Sequence, residues 1–129
     1  VAAALADIPG SSAVVERGFV TYTNRAKIEM LGVSEATLDA YGAVSEEVAR
    51  EMASGALTHA PVDLTVSITG IAGPGGSEHK PEGRVCFGVA DAQGVVTETV
   101  EFGALGRENV RRAARDHALA LLLRRLKGL

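Results

Sequence analysis

One cysteine, Cys86, in 129 residues excludes an intrachain disulfide and leaves no thiolate cluster to hold zinc. A reducing, cytoplasmic setting is the expectation. Net positive charge is also lacking: 13 basic against 16 acidic groups give a formal charge of -3. No overall positive field therefore exists to hold a polyanion, and nucleic acid is set aside as a partner. Long apolar runs are missing too. Leu119 to Leu123 falls far short of the roughly 20 residues needed to span a bilayer, and arginines follow it, so no membrane segment is read. The three histidines, His59, His79 and His117, are too scattered to form a ligand motif, so neither metal nor cofactor is expected. Val1 is not an initiator methionine and no basic segment precedes Val1 to Leu5, which reads as a truncation or processing boundary and not as a signal peptide.

What is present is the composition of one globular domain, 47% hydrophobic and 22% charged, with enough chain to bury about two thirds of its unfolded surface. Val1 to Ile8 reads as the tail of a helix stopped by Pro9-Gly10, with Ser11 and Ser12 on a loop or cap. Gly18 to Thr23 is dense in aromatic and β-branched residues and predicts a first strand. Asn24 to Leu31 predicts a short helical turn. Ser34 and Ser45 are positioned to cap helices from Glu35 to Ala40 and from Glu46 to about Ala60, the latter ended by Pro61. In the longer helix Val48, Ala49, Met52, Ala53, Ala56 and Leu57 form one apolar stripe. Asp63 to Thr69 predicts a second strand. Arg84 to Ala90 and Val95 to Phe102, separated by Asp91-Ala92-Gln93-Gly94, predict a hairpin. Arg107 opens a final helix. The order implies an α/β domain of three layers, α/β/α, around a mixed sheet that includes an antiparallel hairpin.

Three groups of residues have types suited to chemistry. Ser12, Tyr22 and Lys27 lie between the first helix and the end of the expected first strand. A serine hydroxyl needs a base, and a lysine desolvated enough to lose its proton is one; Tyr22 would position it or relay a proton. From residue types alone the plainer reading is the stronger, a turn, a sheet aromatic and a solvated lysine. Thr69-Gly70 runs into a loop containing Gly73 and Gly75, where unobstructed backbone N–H groups suit a phosphate or an oxyanion. The loop is neither a P-loop nor a dinucleotide fingerprint, and a flexible connection is the plainer alternative. Arg107 and Arg111, one turn apart at a helix start, suit a phosphate clamp or an ordinary solvated face. Cys86 reads as buried filler.

Taken in order, Pro-Gly-Ser-Ser-Ala at 9–13, Gly-Phe-Val-Thr-Tyr-Thr-Asn-Arg-Ala-Lys at 18–27, Leu-Gly-Val at 31–33, Gly-Ala-Val-Ser-Glu at 42–46, Thr-Gly-Ile-Ala-Gly-Pro-Gly-Gly at 69–76 and Lys80-Pro81-Glu82-Gly83 resemble the C-terminal domain of the CinA family, which also occurs alone as a nicotinamide-nucleotide amidohydrolase. The resemblance implies hydrolysis of the carboxamide of nicotinamide mononucleotide, without metal, by a serine and a lysine. By position it makes Ser12 the nucleophile, Lys27 the base, Tyr22 the assisting tyrosine and Thr69 a substrate contact; either Arg107 or Arg111 matches the family arginine. It also implies a Glu-Ser-Cys-Thr-Gly-Gly motif and a strand immediately before the position of Val1, so 1–129 reads as this domain without that segment. The expected partner is a small nucleotide. A homo-oligomer is expected as well, with an edge such as Val95 to Phe102 free to pair with another copy. The rival expectation is a non-catalytic nucleotide-binding or assembly module of a longer protein, and a weaker one is hydrolysis of a different small amide.

Overall fold

The computed structural model describes residues 1–128. Its elements are α1 (Ala2–Ala6), a single 3-10 turn at Ser11–Ala13, α2 (Asn24–Leu31), α3 (Glu35–Tyr41), α4 (Glu46–Thr58), β1 (Leu64–Gly70), β2 (Arg84–Asp91), β3 (Gly94–Glu101) and α5 (Arg107–Leu126). Helix starts follow their caps. Thr23, Ser34 and Ser45 each accept a hydrogen bond from the backbone N–H three residues on, at Ala26, Thr37 and Val48, satisfying donors that the first helical turn leaves open. Gly32, at φ 70°, closes α2 in the left-handed conformation that a residue without Cβ adopts at least cost. The β2–β3 hairpin turns through Ala92 and Gln93, with Asp91 opposite Gly94 and Gln93 N–H donating to Asp91 Oδ1 at 2.8 Å.

Strand alternation builds three layers. Val85, Phe87 and Val89 join Val110, Ala114, Ala118 and Leu121 in one apolar cluster, so these β2 side chains face α5. The intervening Cys86 packs with Ala49, Val44 and Ile71, and the Ala49 carbonyl lies where a Cβ on Gly88 would sit, so the other face meets α4. β1 obeys the same period: Leu64, Val66 and Ile68 pack on the α5 side, while Thr65, Ser67 and Thr69 donate to the carbonyls of Ala53, Ala49 and Ala43 at 2.6–2.7 Å. These hydroxyls are satisfied by carbonyls of α4 and the segment before it, so no polar atom is stranded in the interface.

The α/β class and the helical layers on both faces match the expectation, but the sheet is not mixed. Among the described residues it has three strands in the order β1-β2-β3, antiparallel throughout. The expected first strand, Gly18 to Thr23, forms no strand and pairs with none among the described residues. Its period of two is real: Phe19 packs on the cluster formed by α2, α3 and α4 and Thr21 is buried, while Val20 and Tyr22 are 83% and 82% exposed. That inner face meets helices and not a sheet edge, and the Thr21 carbonyl accepts from a lysine instead of a ladder N–H. β-Propensity reports fit to a half-buried pleated surface, and it does not supply the partner strand.

Candidate active site

The end of β1 delivers a cavity. Thr69 Oγ1, in a buried residue, donates to Ala43 O at 2.7 Å, fixing the strand end against the segment between α3 and α4. Beyond it the stretch from Gly70 to Glu78 borders an open cavity of about 290 Å³, also lined by Ala43, Val44 and Arg107. Gly70, Gly73 and Gly75, singled out by sequence, all line it. Gly73 and Gly75 have φ of 89° and 80°, where glycine alone is unstrained.

The two arginines separate. Arg107, first residue of α5, lines the cavity and sends Nε to Gly73 O at 3.0 Å; its terminal N–H groups have no protein partner among the described residues. Arg111 is exposed and lies outside the cavity wall. Lys27 is 6% exposed, and its Nζ donates to Thr21 O at 2.9 Å. Burial pushes its amine below the ordinary lysine range, and the Glu78 carboxylate works against that shift. Cys86, by contrast, is buried with its thiol pushed up by desolvation, which keeps it an unreactive core residue.

Ser12 is exposed on the 3-10 turn, is absent from the cavity wall and shares no hydrogen bond with Lys27. Tyr22 points outward, 82% exposed. The structure therefore brings together the glycine loop, Arg107 and, through the neighbouring wall, Thr69. It does not bring Ser12 or Tyr22 to them.

Two residues of this region escaped sequence reasoning. Lys80 Nζ donates to both Tyr41 O and Val44 O at 2.6 Å, a charged strut between the loop and the opposite wall. Glu78 lines the cavity in a tight turn closed by reciprocal Ser77–Lys80 backbone bonds. Its φ is 51° and that of His79 is 63°, left-handed values that cost a non-glycine residue of order 1–3 kcal/mol. Glu-His carries none of the usual signals for such a turn, so nothing local announced it.

The family model described as the CinA C-terminal domain matches residues 1–126. The chain belongs to that family. Within it, the chain is 54% identical over 126 residues to nicotinamide-nucleotide amidohydrolase PncC of Enterobacter agglomerans, covering 96% of this chain and 76% of that protein. The PncC of Escherichia coli K12 is 54% identical over 123 residues, covering 95% and 74%. Among solved CinA-type structures, the competence/damage inducible protein CihA from Agrobacterium tumefaciens superposes with a TM-score of 0.91 at 48% identity, over 95% of this chain and 75% of that one. The competence damage-inducible protein A (ComA) from Klebsiella pneumoniae gives 0.93 at 36%, over 98% and 78%. No helix among the described residues is long and apolar enough to cross a membrane.

Proposed function

We propose that this chain hydrolyses the carboxamide of nicotinamide mononucleotide to nicotinate mononucleotide and ammonia. The observation that carries the reading is 54% identity, across almost the whole chain, to proteins named for that reaction. The buried Lys27 supports it independently, because burial lowers the pKa of its amine and so favours the free base that the reaction needs.

In the proposed mechanism the Ser12 hydroxyl loses its proton to Lys27 Nζ as Oγ bonds the amide carbon, giving a tetrahedral oxyanion. Backbone N–H groups of the glycine loop stabilise that oxygen. The carbon–nitrogen bond then breaks, and the Lys27 ammonium protonates the departing amine to ammonia. Water attacks the resulting ester with Lys27 again taking a proton, which returns to Ser12 as the carboxylate leaves. Arg107 holds the phosphate and Tyr22 assists proton movement. The step requires Ser12 Oγ to reach the free amine of Lys27, whose Nζ donates to Thr21 O at 2.9 Å in this structure. Pyridine-nucleotide recycling in the cytoplasm, by a homo-oligomer, completes the reading.

Ammonia release from the mononucleotide is the test. Ser12→Ala and Lys27→Ala are each expected to reduce kcat by at least about a hundredfold, and normal turnover in both would overturn the mechanism. A second reading, a nucleotide-binding module without catalysis, is favoured by one observation: the loop and Arg107 form a pocket without Ser12. Calorimetric binding of the mononucleotide with no ammonia formed over hours selects it.

A further inference from the structure

The cavity wall carries two charged side chains, Arg107 and Glu78, and their signs differ. The arginine is held to the loop through Nε, so its free N–H groups favour an anion there. Glu78 is placed with equal definition. Its turn is closed by Ser77 and Lys80, whose ammonium grips two carbonyls of the facing wall. A Cβ on Gly42 would collide with the Glu78 carboxylate and lie 2.8 Å from Lys80 Nζ, so the acid lies against the backbone of the wall opposite its own loop. No hydrogen bond or ion pair within the described residues engages that carboxylate.

From this arrangement we infer that Glu78 is a specificity residue, selecting ligands that carry a cationic ring at one end and a phosphate at the other. The inference rests on the amidohydrolase reading above and sharpens it. A pyridine joined through nitrogen to ribose carries a fixed positive charge, and its 5′-phosphate is negative; Glu78 and Arg107, both lining the cavity, are opposite in sign to these two groups. The cavity, at about 290 Å³, falls just below the range of about 300–1,000 Å³ for small-molecule sites, which favours a small ligand over a dinucleotide. The same carboxylate opposes deprotonation of Lys27. A pyridinium seated against it offsets that opposition and favours the free amine in the loaded site.

The test compares nicotinamide mononucleotide with its reduced 1,4-dihydropyridine form, which keeps the phosphate and carboxamide but loses the ring charge. Isothermal calorimetry on the wild-type chain is expected to show tighter binding of the cationic form. Glu78→Gln, which keeps shape and removes charge, is expected to shrink that preference by about two- to fivefold, the scale of one solvent-exposed charge pair, with affinity for the reduced form unchanged. Equal binding of both forms by the wild type, a preference that survives Glu78→Gln, or equal weakening of both forms in the variant would each overturn the assignment. Because binding is read directly, an intact charge preference without ammonia release would sink the hydrolysis and leave this inference standing.

Discussion

Arg107 and Gly73 are joined across 34 positions by a hydrogen bond from Nε to the carbonyl at 3.0 Å. The contact pins the start of α5 to the loop that lines the cavity, and it orients the guanidinium edge that carries the remaining donors. Arg111, one turn later, has no such tie.

Arg107→Ala is therefore expected to raise KM for a phosphorylated substrate by about tenfold or more, the loss of a charge-assisted contact of about 1.5–3 kcal/mol. Arg111→Ala is expected to change KM by less than about twofold. Steady-state kinetics on the two variants checks this, and the reverse order would move the phosphate to the exposed arginine.

Lys27 links pH to both stability and rate. Its amine has a lower pKa folded than the 10.5 of the free side chain, so the unfolded chain binds more protons between those two values, and stability gains with rising pH across that window. Relative to Lys27→Met, the wild type is expected to become progressively more stable from its lowered pKa up to about pH 10.5, as read by urea melts at stepped pH. Turnover should rise with pH and level off below the ordinary lysine pKa. A stability difference independent of pH would show that the amine is not shifted.

Gly55 sits in the middle of α4, where alanine would favour helix by about 1 kcal/mol. Packing opposes that gain. A Cβ there would overlap the Leu31 carbonyl oxygen and lie 2.8 Å from its carbon, driving α4 away from the end of α2. Both groups are backbone, which cannot rotate aside, so overpacking of about 1–3 kcal/mol is expected to win. Gly55→Ala should lower Tm, and it should also lower activity because α2 carries Lys27.

Asp91, at the hairpin turn, receives Arg125 Nε and Nη2 at 2.6 and 2.9 Å, and the guanidinium, with the Gln93 N–H, holds its carboxyl down at about 2. A depressed carboxylate contributes stability that is present above its unfolded pKa of 3.8 and lost as pH falls towards 2. Asp91→Asn is expected to flatten the acid limb of the stability curve over that interval and to change little in the dependence above pH 5. Acid titration followed by circular dichroism reads the difference.

Much of the fold was legible because its signals are local. Ser34 and Ser45 cap helices that begin at the expected residues, and Asp91 to Gly94 turns the hairpin within one residue of the expected boundaries. Pro61 overstates the length of α4, which ends at Thr58 with His59 as its cap. The segment from Gly18 to Thr23 shows the limit. Its alternation correctly separates Phe19 and Thr21 from Val20 and Tyr22, yet it could not reveal that helices and no strand lie alongside. At the site, the glycines and Arg107 were visible as motifs, while Glu78 and Lys80 gain meaning only from carbonyls and lysines more than 30 residues away.

By itself the sequence determined the helix caps, the hairpin, the alternating faces and the family resemblance, since each depends on residues within a few positions or on their linear order. Tertiary structure alone decided that the three strands of the described residues pair antiparallel, that Lys27 is buried, and that Arg107 and not Arg111 faces the loop. Those outcomes depend on which distant backbone groups and apolar surfaces occupy the remaining space, and desolvation and hydrogen bonding take their sign from that neighbourhood.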